Sequence, residues 1–436
     1  MKDVMKILFL FFLGFSILFF REPYAFLDAN VYAEDGIWTA KALRDGWIST
    51  FLHARSDYYV FFNIALLFIS SKISYIVSGS PLSFLPQAIA IVSYSFYSVV
   101  AILIYKCLRI YSNRFFSMAG FLFSILVPLG GSTSESIGTL VQVGFYMPII
   151  SVCLHLLRGE CRVKYFKYIF DIFIFLAAAT NPVCFAVTGI YLALRIKYFI
   201  KNKHALLEFL PLITSLSLLF LIIIPNMDGH GGILGTPNPK NIIEMVTARS
   251  ILYNFIFPWY SVFNDLASIL FSFLFLSMCI FAYISTKNDK AKNAIIFLFS
   301  VMAVYTIATI SGRYGLTGIL NNYTATYPDR YFMGINVISS TLFVIVLSQL
   351  SNIYFLNKIS YALVIIVLIL HIMNVLNGSV ISNSTLKYNS SNKFKSSLCH
   401  PEIATDGFLL IQIEPPVPKF KMKVPAKYIN DINCTD

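Results

Sequence analysis

The sequence predicts an all-α polytopic membrane protein with a small C-terminal domain of β character. Two observations support this prediction. Of the 436 residues, 57% are hydrophobic and only 12% are charged, whereas a soluble globular domain carries about 25% charged residues. Apolar stretches close to the roughly 20 residues that a transmembrane helix needs recur along the chain. We therefore exclude a soluble enzyme and expect about 9 to 11 transmembrane helices.

The first predicted helix is an apolar run at residues 7–20. Bulky and charged residues follow it directly, in Phe20-Arg21-Glu22-Pro23, so we interpret the run as an uncleaved signal anchor. Further apolar segments lie at roughly 83–105, 115–130, 140–157, 206–224, 264–285, 294–311, 332–350 and 359–376. A shorter pair, 169–180 and 183–194, is interrupted at Asn181-Pro182 and predicts a proline-broken hairpin that returns to its starting side.

Lysine and arginine side chains determine the predicted orientation. Four connectors are strongly basic, and the positive-inside rule places them in the cytoplasm together with the N-terminus; they lie at 106–114, 158–167, 195–203 and 287–292. In this arrangement the inside segments carry the whole net charge of +12. The basic residues therefore indicate contact with the anionic headgroups of a lipid bilayer, and no nucleic-acid partner.

Residues 58–78 are also apolar. A single crossing there would move every later basic connector to the outside, so we expect this segment to lie along the interface or to dip in and return. Three sizeable segments then face outside: a first loop at 21–82 with interfacial helices, a second loop at 225–263, and the tail. The predicted domains are a transmembrane domain at 1–376 and a tail at 377–436.

The tail has a different character from the rest of the chain. Apolar and basic residues alternate from Lys419 to Val424, between several prolines, which predicts short edge strands. Cys399 and Cys434 are the two cysteines that fall outside. They are either two unrelated thiols or one disulfide that closes the small domain in an oxidising compartment.

Adjacent carboxylates follow the first predicted span, at Glu34 and Asp35, just before an amphipathic segment at 37–47. Partial burial at the membrane surface would raise the pKa of a carboxyl group and prepare it to act as a catalytic base. The alternative is that both acids only favour the positive N-terminal end of the following helix.

Arginines are the candidates for binding a phosphate. Arg313, and Arg330 with Tyr331, lie at the outer ends of neighbouring predicted spans. Because a guanidinium binds phosphate through two parallel hydrogen bonds, they could hold a lipid phosphate at headgroup depth. The alternative is interfacial anchoring, with Asp329 neutralising Arg330. Arg55 is a weaker candidate of the same kind.

The remaining polar candidates are few. Glu135 is a lone acid in a short outer loop, where it is either solvated or hydrogen-bonded to sugar hydroxyls. No spacing of cysteine and histidine indicates a metal site, so we predict none.

Several of these features together resemble the serotype-converting O-antigen glucosyltransferases that temperate bacteriophages carry. The features that carry the resemblance are the N-terminal anchor, Ala33-Glu34-Asp35-Gly36, the loop from Pro128 to Glu135, the Thr180-Asn181-Pro182 break, the Arg330-Tyr331-Phe332 motif and the outer tail. The resemblance implies the type C fold of integral-membrane glycosyltransferases that use polyprenyl-phosphate sugars. It also implies a multi-pass protein of the bacterial inner membrane, with the N-terminus in the cytoplasm and the C-terminus in the periplasm.

The resemblance further implies a hexosyltransferase that moves glucose from undecaprenyl-phosphate to O-antigen repeats on the periplasmic face. No cofactor besides the lipid-linked donor is implied. Glu34 and Asp35 match the acidic pair that supplies the catalytic carboxylate, and Arg313 and Arg330 correspond more loosely to the phosphate ligands.

Two other functions stay open at this point. An O-antigen polymerase is also polytopic with large outer loops, although we expect it to depend more on arginine-rich loops. A transporter of lipid-linked sugars would place polar residues near the midplane of its spans, whereas the predicted spans here are almost free of charge.

Overall fold

The computed structural model describes residues 2–129, 133–225, 242–256, 264–313, 327–376, 393–404 and 406–429. Most of these residues are helical. Eight helices in the described ranges are long and apolar enough to cross a membrane: Asp3–Arg21, Phe61–Ser78, Leu85–Tyr111, Lys203–Ile223, Asp265–Ser285, Asp289–Gly312, Arg330–Leu350 and Tyr354–Leu376. The predicted all-α polytopic fold with a small β tail is therefore confirmed.

The chain forms two compact units. The first contains Met1–Val99, Thr133–Gly144 and Thr385–Asp436, and the second contains Val100–Ser132 and Phe145–Ser384. The predicted boundary between 376 and 377 lies at the edge of the described residues and stays a prediction.

The first unit combines helices with the sheet of the tail. Its helices are Lys2–Arg21, Tyr24–Leu27, Ala33–Asp45, Trp47–His53, Phe61–Ser78, the first half of Leu85–Tyr111, Thr133–Ser136 and Lys393–Cys399. Strands β1 (Glu402–Ile403), β2 (Leu409–Gln412) and β3 (Lys421–Val424) form an antiparallel sheet in the order β1-β2-β3. A 3-10 turn at Ala426–Tyr428 follows β3.

The predicted alternation in the tail is confirmed in β3. Met422 and Val424 are fully buried, whereas Lys421 and Lys423, which alternate with them, are partly exposed. Lys421 forms an ion pair with Glu402, and Lys423 forms one with Asp406. The period of two thus separates an apolar face from a charged one, as a half-buried strand requires.

The described residues of the second unit form helices joined by short connecting segments. Its helices are the second half of Leu85–Tyr111, Arg114–Leu126, Met147–Glu160, Lys164–Thr180, Val183–Leu194, Ile196–Lys201, Lys203–Ile223, the π-helical Glu244–Leu252, Tyr253–Ile256, Asp265–Ser285, Asp289–Arg313, the 3-10 turn Tyr327–Phe332, Met333–Leu350 and Tyr354–Leu376. A 3-10 turn at Val143–Tyr146 joins the two units. Every residue of Met333–Leu350 is buried.

Three predicted segments differ from the structure. Residues 61–78 form one continuous helix of 18 residues, so a segment that dips in and returns is wrong; an interfacial or a crossing helix stays open. The segments 115–130 and 140–157 form helices of 13 and 14 residues, Arg114–Leu126 and Met147–Glu160. Pro128 follows the first, and Pro148 lies in the first turn of the second. Proline cannot continue a helix in the one case and favours its start in the other.

The predicted break at Asn181-Pro182 is confirmed. One helix ends at Thr180 and the next begins at Val183. The side-chain oxygen of Asn181 accepts a hydrogen bond from the amide of Val183 at 3.0 Å. The sequence Asn-Pro therefore ends one helix and caps the next.

Candidate active site

The helix that carries Glu34 and Asp35 begins in an unusual backbone conformation. Ala33, its first residue, has a φ of +41°, which costs a residue with a side chain about 1–2 kcal/mol. A strand-like contact with the tail offsets this cost. The amide of Ala33 donates to the carbonyl of Glu414 at 2.5 Å, and the amide of Glu414 donates to the carbonyl of Val31 at 2.9 Å.

The carboxyl group of Asp35 is enclosed completely. Asp35 is 0% exposed, and its Oδ2 accepts a hydrogen bond from the amide of Leu140 at 2.8 Å. Its Oδ1 has no donor among the residues that the structure describes. Burial raises the pKa of Asp35 to about 8; the hydrogen bond from Leu140 opposes this rise, and the negative charge of Glu34 adds to it. Asp35 is therefore mostly protonated at neutral pH.

The backbone that Asp35 contacts is itself held by neighbouring helices. The side-chain amide of Asn63 donates to the carbonyl of Leu140 at 2.7 Å. The amide of Gly138 donates to the hydroxyl of Ser93 at 3.1 Å. Gly138 has a φ of +87°, and a Cβ there would lie 2.2 Å from the Cβ of Ala25. Only glycine fits at this turn. The contacts with Asn63, Ser93 and Ala25 together hold the segment at 138–140 in place.

Glu34 has a different environment from Asp35. It is half-buried, so its carboxylate keeps access that Asp35 lacks. Arg55 lies near enough for its positive charge to interact with the negative charge of Glu34. The two acids therefore lie in different surroundings: Asp35 is enclosed, whereas Glu34 retains contact with the surface.

Arg55 is engaged rather than open for a phosphate. Its Nε and Nη2 donate to the two carboxylate oxygens of Asp57 at 2.8 and 2.7 Å. Its guanidinium lies 4.8 Å from the centroid of the Tyr58 ring. The hydrogen bonds to Asp57 raise the pKa of Arg55. Burial of Asp57 raises the pKa of that carboxyl. The hydrogen bonds and the positive charge of Arg55, together with backbone hydrogen bonds, more than offset this rise, so the pKa is lowered. A phosphate would have to displace Asp57 from the guanidinium fork.

Glu135 is buried rather than solvated. It is 3% exposed and belongs to the short helix Thr133–Ser136. Its backbone carbonyl accepts a hydrogen bond from the hydroxyl of Thr139 at 2.6 Å. Glu135 and the Leu140 amide that contacts Asp35 are therefore parts of one short segment.

Arg330 and Tyr331 lie in the second unit, on the turn before Met333–Leu350. The guanidinium of Arg330 lies 5.2 Å from the centroid of the Tyr331 ring, and its Nη2 lies 3.4 Å from the tyrosine hydroxyl. The Tyr331 ring packs edge-on against Phe145 at 5.5 Å. Arg313 ends the helix Asp289–Arg313; its side chain and that of Asp329 lie outside the described part of the chain.

The tail contains a disulfide-bonded cysteine. Cys399 ends the helix Lys393–Cys399 and is disulfide-bonded, whereas Cys107, Cys153, Cys161, Cys184 and Cys279 are free. Its predicted partner, Cys434, lies outside the described residues, so that pairing stays a prediction. Among the described residues, no group of three or more histidine, cysteine, aspartate or glutamate side chains could hold a metal ion.

No known protein family matches the sequence, and no curated protein matches it. The acidic pair and its contacts are therefore the basis on which a function is proposed.

Sequence reasoning missed the groups that hold the acidic pair. These are the amide of Leu140, the side chain of Asn63 that holds Leu140, and the main chain of Glu414 in the tail. One signal was present, because Asn63 is an amide in the middle of an apolar run, and such residues in a helix are rarely without a partner.

Proposed function

We propose that this protein is a membrane glycosyltransferase that transfers a glucosyl residue from undecaprenyl-phosphate to O-antigen repeats on the periplasmic face of the bacterial inner membrane. The observation that carries the proposal is the pair formed by a half-buried Glu34 and a completely buried Asp35. An exposed acidic helix start would have explained both residues as favourable charges near the helix N-terminus. A buried carboxyl with a raised pKa is instead typical of a functional site.

The two acids have different roles in this proposal. Glu34 removes the proton from the acceptor hydroxyl while the hydroxyl oxygen forms its bond to the anomeric carbon of the donor sugar. The bond between that carbon and the phosphate oxygen breaks, and the lipid phosphate leaves as an anion. Asp35 is a positioning residue, because its carboxyl is enclosed and bound to the amide of Leu140.

The leaving phosphate needs a positive charge nearby as its own negative charge develops. The guanidinium fork of Arg55 is already occupied by Asp57, so Arg55 would have to release Asp57 to take this role. The resemblance to the glucosyltransferases favours Arg330. We assign Arg330 to the lipid phosphate, with Tyr331 beside it. Arg313 remains a candidate for the phosphate. Glu135 is proposed for a sugar hydroxyl by its position in the outer loop, and because it is 3% exposed it would have to become accessible when the acceptor binds.

Replacing Arg330 by lysine is expected to lower sugar transfer by about tenfold or more. Lysine keeps the charge but loses the bidentate fork, and a hydrogen bond to a charged group contributes about 1.5–3 kcal/mol. Transfer is measured in membranes that contain equal amounts of each variant. Arg44→Lys is the matched control, because Arg44 forms a half-exposed pair with Asp45. Full activity of Arg330→Lys would reduce Arg330 to an interfacial anchor.

Expression of the gene in a host with a defined O-antigen tests the proposed function. The mass and the linkages of the polysaccharide are compared with those from a host that carries the empty vector. We expect one additional hexose on the repeat, at one linkage. A change in the number of repeats alone would indicate a polymerase, and an unchanged polysaccharide would contradict the proposal.

A further inference from the structure

The tail packs directly against the backbone of the acidic motif. A Cβ placed on Gly36 would lie 2.6 Å from Cδ1 of Ile413, 3.0 Å from Cγ of Met422 and 3.1 Å from Cγ1 of Val31. Ile413 and Met422 are themselves buried. Gly36 follows Asp35 in the chain, so the apolar side chains of the tail occupy the space that a side chain at this position would need.

The tail also holds the other side of the motif. The residue after Ile413 is Glu414, whose main chain exchanges the two hydrogen bonds with Val31 and Ala33 on the strand-like stretch before the helix. Glu34 and Asp35 therefore lie between a main-chain contact at Ala33 and a packing contact at Gly36. The main-chain contact comes from Glu414, and the packing contact comes from its neighbour Ile413 together with Met422.

These contacts fix the direction of the first helical turn. The left-handed φ of Ala33 sets where the helix begins, and the hydrogen bond to Glu414 holds this conformation, which an alanine otherwise avoids. Side chains in the first turn follow the backbone that bears them. A displacement of about 1 Å at a reacting group can lower a rate by about 10²-fold, so the position of this turn matters for chemistry.

We propose that Ile413 and Glu414 of the tail position the catalytic turn, by holding the helix start from Ala33 to Gly36. This inference rests on the proposed function, since it assigns the tail to the same site. Ile413 and Glu414 are positioning residues, which act through the backbone of Glu34 and Asp35. Without the tail contact, the helix would still form, but its first turn would lose the conformation that directs the two carboxyl groups.

The inference is tested by introducing a steric clash between position 36 and Ile413 and then removing it with a second substitution. Gly36→Ala introduces a methyl group against Cδ1 of Ile413, and we expect the turnover number to fall about tenfold or more. Alanine favours a helix more than glycine does, so helix propensity cannot cause the loss. Ile413→Val removes the opposing methyl group, and the double variant Gly36→Ala/Ile413→Val is expected to recover most of the turnover.

A matched control separates positioning from general stability. Ile411 is fully buried in β2 of the same sheet, and Ile411→Val removes the same methyl group without relieving the contact at Gly36. The double variant Gly36→Ala/Ile411→Val should therefore stay impaired. Equal recovery in both double variants would overturn the inference, as would wild-type turnover of Gly36→Ala.

Hydrogen exchange measures the effect of the tail contact on the helix start independently of catalysis. In the full-length protein, the peptide over residues 31–40 should exchange at least tenfold faster in Gly36→Ala than in the wild type, and slow again in the double variant with Ile413→Val. Unchanged exchange would overturn the inference. If the wild-type protein transfers no sugar while exchange responds as expected, the proposed function fails and the tail contact stands.

Discussion

Replacing Glu34 by glutamine is expected to lower the rate of sugar transfer by about 10²- to 10⁴-fold, which is the usual contribution of a general base. Glutamine keeps the shape of the side chain but cannot take a proton from the acceptor hydroxyl. Because Glu34 is only half-buried, the amount of folded protein in the membrane should stay the same. Transfer is measured as hexose added to the O-antigen per unit of membrane protein.

The control for this variant is Glu402→Gln. Glu402 is a mostly exposed acid of β1 that pairs with Lys421, so this substitution makes the same chemical change away from the acidic motif. Glu402→Gln should leave transfer near the wild-type rate. If Glu34→Gln also transfers sugar at that rate, then Glu34 is not the base, and the proposed mechanism is wrong at its main step.

Replacing Asp35 by alanine is expected to lower the free energy of unfolding by about 1–3 kcal/mol, since the buried amide of Leu140 loses its acceptor. Asp35→Asn is the matched control. An asparagine oxygen can still accept from Leu140, and its amide group resembles the protonated acid that a pKa of about 8 implies. Thermal unfolding of the purified protein measures both variants. Equal losses would show that the hydrogen bond to Leu140 is not what makes Asp35 important for stability.

Asp35 should also make stability depend on pH. Its pKa is raised from 3.8 to about 8 by burial, so the folded state binds a proton that the unfolded chain releases above pH 4. The contribution of Asp35 to the free energy of unfolding is fully present below pH 4 and is lost as the pH rises toward 8. The unfolding temperature of the wild type should therefore decline more over this range than that of Asp35→Asn. Glu22, whose pKa burial raises to about 7 against the opposing charge of Arg21, titrates in both proteins and cancels in the comparison.

Local patterns predicted much of the fold. The break at Asn181-Pro182 and the alternation in β3 depend on neighbouring residues, and both are present in the structure. The lengths of Arg114–Leu126 and Met147–Glu160 were overestimated because hydropathy alone does not reveal where a proline ends or starts a helix. The positions of the basic residues argue against a single crossing at residues 61–78, and this argument does not reveal that the segment forms one continuous helix.

The site itself could be predicted only in part. The acidic pair is local in the sequence and was identified there. Its contacts are not, since Leu140 lies 105 residues from Asp35 and 77 residues from Asn63. The contact between Glu414 and Ala33 joins distant parts of the chain. No periodicity or motif specifies which distant backbone group a buried carboxyl will meet, so the different burial of Glu34 and Asp35 was visible only in the structure.

The complete burial of Met333–Leu350 has a consequence for biogenesis. Several polar side chains, including Asn336, Ser339 and Ser340, lie along this helix, and Asn254 donates hydrogen bonds to it. Polar side chains are costly in contact with lipid, so we expect this helix to pack against helices synthesised earlier as it enters the membrane. Asp265–Ser285 and Asp289–Arg313 are among those that it contacts. Tyr354–Leu376 is synthesised later and also contacts this helix, so we expect assembly of the second unit to finish only when that last helix has joined.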